Sequence, residues 1–447
     1  MVTFYKPKVK TITQKAFEVE CVDLDLQGRG VAKKDNKTWF IYNLIPGEKA
    51  RVVPVAVKDK IGEAKVTKYI YKSDNRAKSQ CPLEESCGGC PLAYIKENDL
   101  LAYKVKGLYQ LLKKSGVALN ETPSFVVNSN ALNYRRACRL AIRIDHGKVT
   151  VGFREGKSQK LVSLTTCKVL SERINVAIPK VVELLNKLQG KRNLGHLEFI
   201  DSDGALGIFL RVTENLSDAD LEIIGSFGKE NSYVISVGIP YKHEIDSSEQ
   251  IKEILLTDKE DALFINASDC KIICKPTAFV QVNKEVNKDL IKLVLDAVKP
   301  HPGMKVLDLF CGLGNFTLPL AKEGAEVLGI DIVSSMIKDA QKNAELNDLH
   351  NAKFAVADLE DEFEKQQWAK VKYDAVVLDP GRMGAKRAAL FVSKLKIPKI
   401  VMISCNPLAA SRDIRELIKS GYKITAWGAL DMFPRTSHIE LMTVFSL

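Results

Sequence analysis

Residues 308–315, with the sequence DLFCGLGN, decide the fold of the C-terminal part of the chain. An apolar run typical of a buried strand precedes them, and a helical pattern comes after them. Gly312 and Gly314 permit a tight turn that brings the backbone close to a ligand. Such a turn alone is a weak signal, shared by nucleotide and phosphate binders, and the three-glycine spacing of dinucleotide sites is absent.

The pattern around this turn is an alternation of strands and helices that begins near residue 284. Apolar strands are predicted at residues 304–310, 326–331, 352–358, 373–379 and 399–405. This alternation predicts a parallel, doubly wound, Rossmann-like α/β sheet. Two further strand-like runs, YKITAWGAL and IELMTVFSL, close the chain.

Acidic residues stand at successive predicted strand ends. Asp331 closes the second strand, where a carboxylate can accept hydrogen bonds from both ribose hydroxyls, and Asp358 after the third can accept from an adenine amino group. Because the carboxyl ends of parallel strands share one edge, these acids and Asp308 are expected beside the glycine turn. Each acid taken singly is better explained as a helix N-cap, but the combination favours S-adenosylmethionine as the ligand.

Two tetrapeptides at later strand ends carry reactive groups. DPGR, which starts at Asp379, ends the fourth strand, and SCNP, which contains Cys405, ends the fifth. A cysteine at an open strand end beside a methyl donor is positioned for nucleophilic attack. The alternative, a buried small apolar side chain, is weakened because Asn-Pro marks a turn directly after Cys405.

Glu440 is the candidate base that this chemistry requires. Carbon 5 of uracil becomes nucleophilic after a thiolate adds to carbon 6, and a base must later remove the carbon 5 proton. Glu440 begins the last predicted strand, and if that strand is antiparallel, its start lies at the edge that holds Cys405. A raised pKa in a partly desolvated site would suit Glu440 to this role. The alternative is an ordinary exposed glutamate on an edge strand.

Cys81, Cys87 and Cys90 form a cluster in which Gly88 and Gly89 let the backbone wrap tightly. A fourth ligand must come from elsewhere, and Cys167 is the best-placed candidate. Zinc sites usually show paired CxxC elements, whereas three clustered cysteines and a remote fourth favour an iron–sulfur cluster over zinc. The predicted core or incidental cysteines are Cys21, Cys138, Cys270, Cys274 and Cys311.

The N-terminal segment is rich in short strands and basic residues. Residues 11–70 contain alternating runs separated by turn signals, which predicts a small OB-like β-barrel, a common RNA-binding architecture. Residues 1–80 hold 17 Lys and Arg against 9 Asp and Glu, so they account for +8 of the net charge of +11. Such a charge attracts nucleic acid, although a solvated basic face is an equal alternative.

The middle of the chain predicts an α+β domain. Residues 125–265 mix strand-like runs with a helical stretch at 172–188, and another helix is predicted at 95–114. The composition, 46% hydrophobic and 27% charged, is that of a globular protein. Because no run is long enough to cross a bilayer and MVTFYKPKVK lacks a secretory apolar region, a cytoplasmic protein is expected.

The ordered motifs of the chain resemble those of the RNA uridine-5-methyltransferases. The matching motifs are CPLEESCGGC at 81–90, AFVQVN at 278–283, DLFCGLGNFTLPLA at 308–321, LDPGRMGA at 378–385, ISCNP at 403–407 and DMFPRTSHIE at 431–440. The tRNA branch of that family lacks the iron–sulfur cysteines, and one branch acting on 23S ribosomal RNA lacks the N-terminal barrel. Because this chain has both the clustered cysteines and the predicted N-terminal barrel, it resembles the other branch that acts on 23S ribosomal RNA.

The resemblance implies a role for each candidate residue. It makes Cys405 the nucleophile, Glu440 the proton-removing base and residues 11–70 an RNA-binding TRAM domain. The implied 4Fe-4S ligands are Cys81, Cys87, Cys90 and Cys167. The implied contacts to S-adenosylmethionine come from Gln281, Phe310, Asn315, Asp331, Asp358 and Asp379, of which Gln281 depends on the resemblance alone. The chain departs from the family pattern with Asp331 for Glu, LAY for LQH at 92–94 and Gly381 for Pro or Ala, and none of these removes a reacting group.

The resulting hypothesis is methyl transfer from S-adenosylmethionine to carbon 5 of a uridine in 23S ribosomal RNA through a covalent cysteine–uracil intermediate. We expect a TRAM domain at 1–72, a central α+β domain with the iron–sulfur cluster and RNA contacts at 73–270, and the catalytic domain at 271–447. An RNA partner, no DNA, no membrane and a monomer are expected. The alternatives are the same chemistry on another RNA such as tRNA, and a non-catalytic RNA-binding iron–sulfur protein. A small-molecule or protein methyltransferase would not explain Cys405 with Glu440.

Overall fold

The computed structural model describes residues 15–78, 80–156, 158–242, 249–257 and 260–447, so residues 11–14 of the expected β module lie outside the described chain. The described residues divide into two compact units. The first contains the described residues up to Glu84, with Cys90–Gln110 and Phe433–His438. The second contains Glu85–Gly89, Ile439–Leu447 and the described residues within Leu111–Met432. No helix in these ranges is long and apolar enough to span a membrane.

The first unit is built on a curled β-sheet. Its strands are β1 (Phe17–Glu20), β2 (Asp23–Leu24), β3 (Gly30–Lys34), β4 (Lys37–Tyr42), β5 (Lys49–Lys58) and β6 (Ile61–Tyr71). In the sheet they are ordered β1-β5-β6-β4-β3-β2. β1 and β2 lie at opposite ends of this order although only two residues separate them in the chain, which is too short a link to cross an open sheet. The sheet therefore closes on itself, and Val22 N donates to Val31 O at 2.8 Å.

The interior of this barrel is apolar apart from one ion pair. Its buried side chains include Trp39, Ile41, Ala50, Val52 and Ala64. A Cβ atom on Gly62 would lie 2.4 Å from the Trp39 ring, so this position requires glycine. The Glu48 carboxylate is fully buried and accepts from Arg76 Nε and Nη2 at 2.7 Å each. This bidentate pair anchors the polar segment after β6 to the barrel.

A second apolar cluster in this unit joins the barrel to the start of α1 (Glu97–Lys114). Its members are Leu24, Ile45, Leu92, Ile95 and Leu100. The helix agrees with the one predicted at residues 95–114. Its acidic first turn, Glu97 and Asp99, and its basic last turn, Lys113 and Lys114, complement the helix dipole.

The second unit begins with a mixed α+β layer. After β7 (Phe125–Val127), its elements are β8 (Ala137–Asp145), β9 (Lys148–Arg154), β10 (Leu161–Ser163), α2 (Glu172–Lys187), β11 (Leu194–Asp201), β12 (Leu206–Val212), α3 (Asp218–Asn231), β13 (Tyr233–Lys242) and β14 (Glu249–Leu255). The sheet order is β10-β9-β8-β11-β12-β13-β14, and β12 and β13 are parallel. α2 buries its apolar face through Ile174, Ile178 and Val181.

The rest of the second unit is a large α/β layer. Its elements are β15 (Phe264–Ala267), β16 (Cys270–Ile273), α4 (Lys284–Val298), β17 (Lys305–Leu309), α5 (Thr317–Lys322), β18 (Glu326–Asp331), α6 (Ser334–Leu346), β19 (Ala352–Val356), β20 (Ala375–Leu378), α7 (Lys386–Leu395), β21 (Lys399–Ser404), α8 (Pro407–Lys419), β22 (Lys423–Leu430) and β23 (Glu440–Ser446). The sheet order is β19-β18-β17-β20-β21-β23-β22-β7. Its first five strands are parallel, which confirms the predicted α/β sheet.

The last three strands of this sheet show one confirmed and one unforeseen feature. β23 is antiparallel to β21, as the assignment of Glu440 to the reactive edge required. β23 also lies between β21 and β22, so it is not an edge strand. β7 pairs in parallel with β22, so the sheet includes a strand from outside residues 271–447. The expected domain boundaries after residues 72 and 270 stay a prediction.

Candidate active site

Three candidate residues meet at the carboxyl edge of the parallel sheet. Leu378 of β20 pairs with Met402 of β21, and Ser404 of β21 pairs with Leu441 of β23. These pairings place three candidate site residues at this edge: Asp379 directly after β20, Cys405 directly after β21 and Glu440 at the start of β23. The parallel order and the antiparallel return of β23 thus bring these three positions onto neighbouring strands.

The glycine turn at the end of β17 folds back against β18. Phe310 N and Cys311 N both donate to Ile330 O, at 2.9 and 3.0 Å. Phe310 adopts a φ of 69°, which is uncommon for a bulky residue and marks local strain. Gly312 and Gly314 have φ values of 55° and 97°, so this backbone path needs glycine as the sequence indicated.

A small cavity lies over this turn. Four of the predicted cofactor contacts line it, namely Gln281, Phe310, Asn315 and Asp379. Asn315 and Asn287 hold each other by two reciprocal amide hydrogen bonds of 3.0 Å. This pair gives the cavity wall a fixed polar patch among side chains that are mostly apolar.

The two other predicted cofactor contacts lie at neighbouring strand ends. Asp331 Oδ2 accepts from Gly312 N at 3.1 Å, and its Oδ1 accepts from Val333 N at 3.0 Å. Asp358 is exposed, and its Oδ1 accepts from Glu360 N at 2.9 Å. Each carboxylate thus holds a local turn, but neither is the N-cap of a helix, because α6 is capped at Val333 and the next helical turn after Asp358 begins at Trp368.

Asp308 lies inside β17 and is completely buried. Thr317 Oγ1 donates to its Oδ2 at 2.5 Å, while its Oδ1 has no hydrogen-bond partner among the described residues. Burial raises the pKa of Asp308 to about 7, and the neighbouring acids Asp379 and Asp331 add to this effect. The sequence placed Asp308 at the open edge, whereas the structure places it beneath the glycine turn.

Cys405 and Glu440 have unusual electrostatic surroundings. The Glu440 side chain is 6% exposed, its Oε2 has no hydrogen-bond partner in the described chain, and burial together with Asp379 raises its pKa to about 8. Asp379 has a pKa of about 7, also raised by burial. Cys405 is half-buried, and burial, Glu440 and Asp379 raise the pKa of its thiol while Arg382 opposes this. The alternative of an exposed edge-strand glutamate at 440 is therefore wrong.

The loop after β20 is fixed to the start of α8. Asn406 caps this helix by accepting from Leu408 N, and its Nδ2 donates to Arg382 O at 2.8 Å. The buried Asp413 accepts from Ala385 N at 2.7 Å. Cys405, which directly precedes the cap, therefore stands on a rigid connection between strand and helix.

The other cysteines fall into two groups. The five predicted to be core residues, Cys21, Cys138, Cys270, Cys274 and Cys311, are all buried. Cys81, Cys87, Cys90 and Cys167 are partly exposed and form no disulfide. In the first unit, Cys81 O and Cys90 O accept from Glu84 N and Ala93 N, each at 3.2 Å. Across the described ranges, no three His, Cys, Asp or Glu side chains converge so as to hold a metal ion.

In the second unit, Cys87 and Cys167 are each held by neighbouring backbone or side chains. Gly89 N donates to Cys87 Sγ at 3.4 Å. Asn175 of α2 accepts from Cys167 N at 2.7 Å, and its Nδ2 donates to Cys167 O and Leu170 O, both at 3.0 Å. These contacts fix the backbone on either side of two candidate ligands.

The sequence profile of the family described as tRNA (Uracil-5-)-methyltransferase matches residues 97–446. The chain belongs to this family. Full-length relatives named 23S rRNA (uracil(1939)-C(5))-methyltransferase RlmD agree with the match. The one from Aliivibrio fischeri strain MJ11 is 35% identical over 448 residues, which cover 100% of both chains. The one from Shewanella sediminis is 35% identical over 451 residues, again covering 100% of both.

Solved structures show the same fold. The tRNA (uracil-54, C5)-methyltransferase of Pyrococcus abyssi, solved with S-adenosyl-L-homocysteine, superposes with a TM-score of 0.72 at 24% identity. The superposition covers 96% of this chain and 100% of the archaeal one. The family match and the full-length relatives confirm the sequence resemblance to the uridine-5-methyltransferases, and this superposition confirms the α/β fold.

Two supporting residues of this methyltransferase site were not found from the sequence. Asn287 lies on the buried face of α4 beside Val286 and Leu290, and Thr317 opens α5 beneath Asp308. A polar residue at an apolar position of a helical pattern is the signal that could have identified Asn287. Thr317 gives no such signal, because threonine is common in the first turn of a helix.

Proposed function

We propose that this protein transfers the methyl group of S-adenosylmethionine to carbon 5 of a uridine in 23S ribosomal RNA, through a covalent intermediate on Cys405. The observation that carries the proposal is the placement of Cys405 and Glu440 on paired strands, at the edge that also holds the cavity over the glycine turn. The substrate class, 23S ribosomal RNA, comes from the full-length relatives, which are named as methyltransferases of that RNA.

Cys405 and Glu440 divide the chemistry between them. The Cys405 thiolate adds to carbon 6 of the ring, which makes carbon 5 nucleophilic towards the methyl group. The Glu440 carboxylate then takes the carbon 5 proton, the carbon 5–carbon 6 double bond forms again, and the thiolate leaves. The buried Glu440, with a pKa of about 8, suits this proton transfer at neutral pH.

The residues of the carboxyl edge fit a cationic methyl donor. S-adenosylmethionine supplies an activated methyl group on a positively charged sulfur. Glu440 Oε2 is a buried acceptor with no protein partner among the described residues, and Asp379 lies near it at this edge. We assign the donor to Gln281, Phe310, Asn315, Asp331, Asp358 and Asp379. The support is that Gln281, Phe310, Asn315 and Asp379 line the cavity and that Asp331 holds the glycine turn through Gly312 N.

We assign RNA binding to the barrel of the first unit, as a TRAM domain within residues 1–72. Its surface carries exposed apolar side chains on the strands, including Tyr42, Ile61 and Tyr71, among many lysines. Aromatic side chains stack on bases while basic ones neutralise phosphates, which is the combination that single-stranded RNA requires. The central α+β domain at 73–270 would add further contacts, ahead of a catalytic domain at 271–447. A cytoplasmic monomer remains our expectation, and light scattering tests its mass.

We further propose that Cys81, Cys87, Cys90 and Cys167 hold a 4Fe-4S cluster. Apart from Cys405, these are the cysteines that the described chain leaves partly exposed, and none is in a disulfide. A backbone N–H directed at Cys87 Sγ is a contact that stabilises thiolate ligands of such clusters. The cluster would order the polypeptide around it, and no step of the methyl transfer passes through it.

The decisive experiment uses RNA that contains 5-fluorouridine, whose carbon 5 cannot lose a proton. The wild-type protein with S-adenosylmethionine should form a stable covalent adduct on fragments of 23S ribosomal RNA, and Cys405→Ser should form none. Parallel reactions with total tRNA and free uridine distinguish the substrates. A wild-type protein that forms no adduct with any RNA would refute the mechanism, and an adduct confined to tRNA would move the substrate to that class.

A further inference from the structure

The turn between β11 and β12 carries a buried carboxylate, Asp203, whose two oxygens both have partners on other elements. Its Oδ2 accepts from Asn266 N of β15 at 2.7 Å. Its Oδ1 lies 2.6 Å from Lys284 Nζ at the start of α4, and 3.2 Å from Arg136 Nη2. The Asp203 side chain is 5% exposed, so solvent screens these charges little. One carboxylate of the α+β layer is therefore bound to two elements of the α/β layer.

The first of these elements, β15, forms part of the cavity over the glycine turn. Asp203 N donates to Phe264 O at 2.8 Å, and Asp203 Oδ2 accepts from Asn266 N. These two bonds hold β15 on either side of Ile265, which lines the cavity together with its strand partner Ile272. A displacement of Asp203 would therefore move an apolar part of the cavity wall.

The second element is the segment that leads into α4, which carries Gln281 to the same cavity. Val282, the next residue, accepts from Arg136 N at 2.8 Å through its carbonyl oxygen. Lys284, the first residue of α4, pairs with Asp203. Because Arg136 also pairs with Asp203, both anchors of the Gln281 segment converge on one carboxylate.

We infer that Asp203 is a positioning residue for the methyl donor, because it holds Gln281 and β15 in the arrangement that forms the cavity. Asp203 itself lies outside the residues that line the cavity, so it acts through the segments that it binds. The inference rests on the proposed function, which assigns the donor to this cavity and to Gln281. The donor site is then completed by a turn of the α+β layer.

The two cations explain why this position holds a carboxylate. In Asp203→Asn, an amide of nearly the same size can still accept from Asn266 N, but the negative charge between Arg136 and Lys284 is lost. Removing one member of a buried ion pair leaves the other charge without compensation, so the Gln281 segment should loosen. The Lys284 side chain is half-exposed. Lys284→Met therefore releases the α4 anchor with less effect on the fold.

The experiment measures donor binding and turnover on the full chain. Both variants should raise the Kd and the KM for S-adenosylmethionine by about tenfold, with kcat at saturating donor within about twofold of the wild type. Calorimetry gives Kd, and initial rates on fragments of 23S ribosomal RNA give KM and kcat. A purely structural role predicts lower stability and a lower kcat with unchanged Kd and KM, and this result would overturn the inference.

The matched control is Asp201→Asn, in the same turn. The Asp201 carboxylate pairs with Arg173 of α2 at 2.7 Å, so it binds neither β15 nor the Gln281 segment through this contact. Its variant should keep the wild-type Kd and KM for the donor. A tenfold loss of donor affinity in Asp201→Asn as well would show that the turn acts as a whole, and it would overturn the role of Asp203.

A double variant tests whether Asp203 acts through Gln281. Gln281→Ala should weaken donor binding, and in that background Asp203→Asn should weaken it further by about threefold or less, since the side chain that it positions is already gone. The remaining effect belongs to β15. Two effects that multiply in full would contradict the inference, as would an unchanged affinity in Gln281→Ala.

The same titrations separate this inference from the proposed function. If S-adenosylmethionine does not bind the wild-type protein, the proposed function fails and the inference fails with it. If Gln281→Ala weakens binding but Asp203→Asn and Lys284→Met do not, only the inference fails. The Kd values need no RNA, so they decide the inference even if the substrate is another RNA. If circular dichroism shows that Asp203→Asn does not fold, Lys284→Met decides by the same measurements, alone and combined with Gln281→Ala.

Discussion

The carboxyl edge of the large sheet and the segment around Cys167 hold their functional groups in opposite ways. At the sheet edge, Glu440 is a buried acid with one carboxylate oxygen that has no partner in the described chain, and Asp308 beneath the glycine turn is a second such acid. At the Cys167 segment, Asn175 makes three hydrogen bonds to backbone groups and leaves the thiol partly exposed. The first region is incomplete without a charged ligand, whereas the second is locally satisfied and positions its thiol.

This contrast separates a reactive region from a supporting one. Burying an unpaired carboxylate costs free energy, so a site of this kind is kept for reactivity and not for stability. The Asn175 amide, which bonds three backbone groups, stabilises the loop around Cys167 and does not take part in a reaction itself. Changes at the sheet edge should therefore alter catalysis and pH dependence, and changes at the Cys167 segment should alter retention of the proposed cluster.

The largest effect is expected from Glu440→Gln. Turnover on unmodified RNA should fall by about a thousandfold or more, since the base is lost. The covalent adduct on Cys405 should accumulate, because its formation does not need the proton to leave. Denaturing gels with labelled RNA measure the adduct. Glu416→Gln is the matched control on α8, where Glu416 pairs with Lys419, and it should turn over normally; free turnover in Glu440→Gln would remove that residue from its role.

The second effect concerns stability against pH. Glu440 has a folded pKa of about 8 against an ordinary value of 4.5, so between these pH values the folded state binds more protons than the unfolded state. The contribution of Glu440 to the free energy of unfolding is therefore largest below pH 4.5. It falls by roughly 2–4 kcal/mol as the pH rises from 4.5 to about 8. Denaturant unfolding of the ligand-free protein from pH 5 to 8.5 measures this fall. Glu440→Gln should reduce this fall, and the part that remains belongs to Asp308 and Asp379, whose pKa values are raised to about 7; an unchanged slope in that variant would contradict the assigned burial.

The third effect compares two asparagines of α2. Asn175→Ala should shorten the lifetime of the bound cluster by about tenfold, as expected when a group that orients a ligand is lost. Asn186, also on α2, is a matched control because its side-chain amide makes three similar hydrogen bonds. It accepts from Val149 N of β9 and donates to Val149 O and to Val182 O. Both variants should lose about 1–3 kcal/mol of stability. Iron release to a chelator, monitored by visible absorbance, measures the lifetime; equal lifetimes in the two variants would remove the positioning role from Asn175.

The smallest effect compares two adjacent glycines. A Cβ atom on Gly88 would lie 3.0 Å from Gly156 Cα, whereas one on Gly89 would meet only Cys87 Sγ at 3.5 Å. Gly88→Ala should therefore shift the Cys87 loop, lower iron occupancy by about twofold and cost about 1 kcal/mol, because backbone has to move. Gly89→Ala should leave stability within error. Iron content per chain and thermal melting are the measurements, and a reversed order of the two variants would show that the loop is held in another way.

Much of the fold was predictable because its signals are local. Alternating apolar strands and helices from residue 284 onward determine a parallel sheet whatever the rest of the chain does. A parallel sheet in turn places the ends of its strands at one edge, so Asp331, Asp379 and Cys405 could be grouped without coordinates. The buried cysteines were also separable, since the motif spacing marked the other group. Gln281 came from the family resemblance and not from a physical signal.

The sheet and the family could thus be recognised from the amino-acid sequence, because they depend on short-range patterns and motif order, and the assignment of Cys405 and Glu440 as reacting groups stays a prediction. Tertiary structure was needed to learn how far Glu440 is buried, that Asp308 lies beneath the glycine turn, and that Asn287 pairs with Asn315. It also revealed that β7 joins a sheet formed by residues far later in the chain. The physical reason is that burial, desolvation and strand pairing are set by contacts between residues distant in sequence, which no local pattern records.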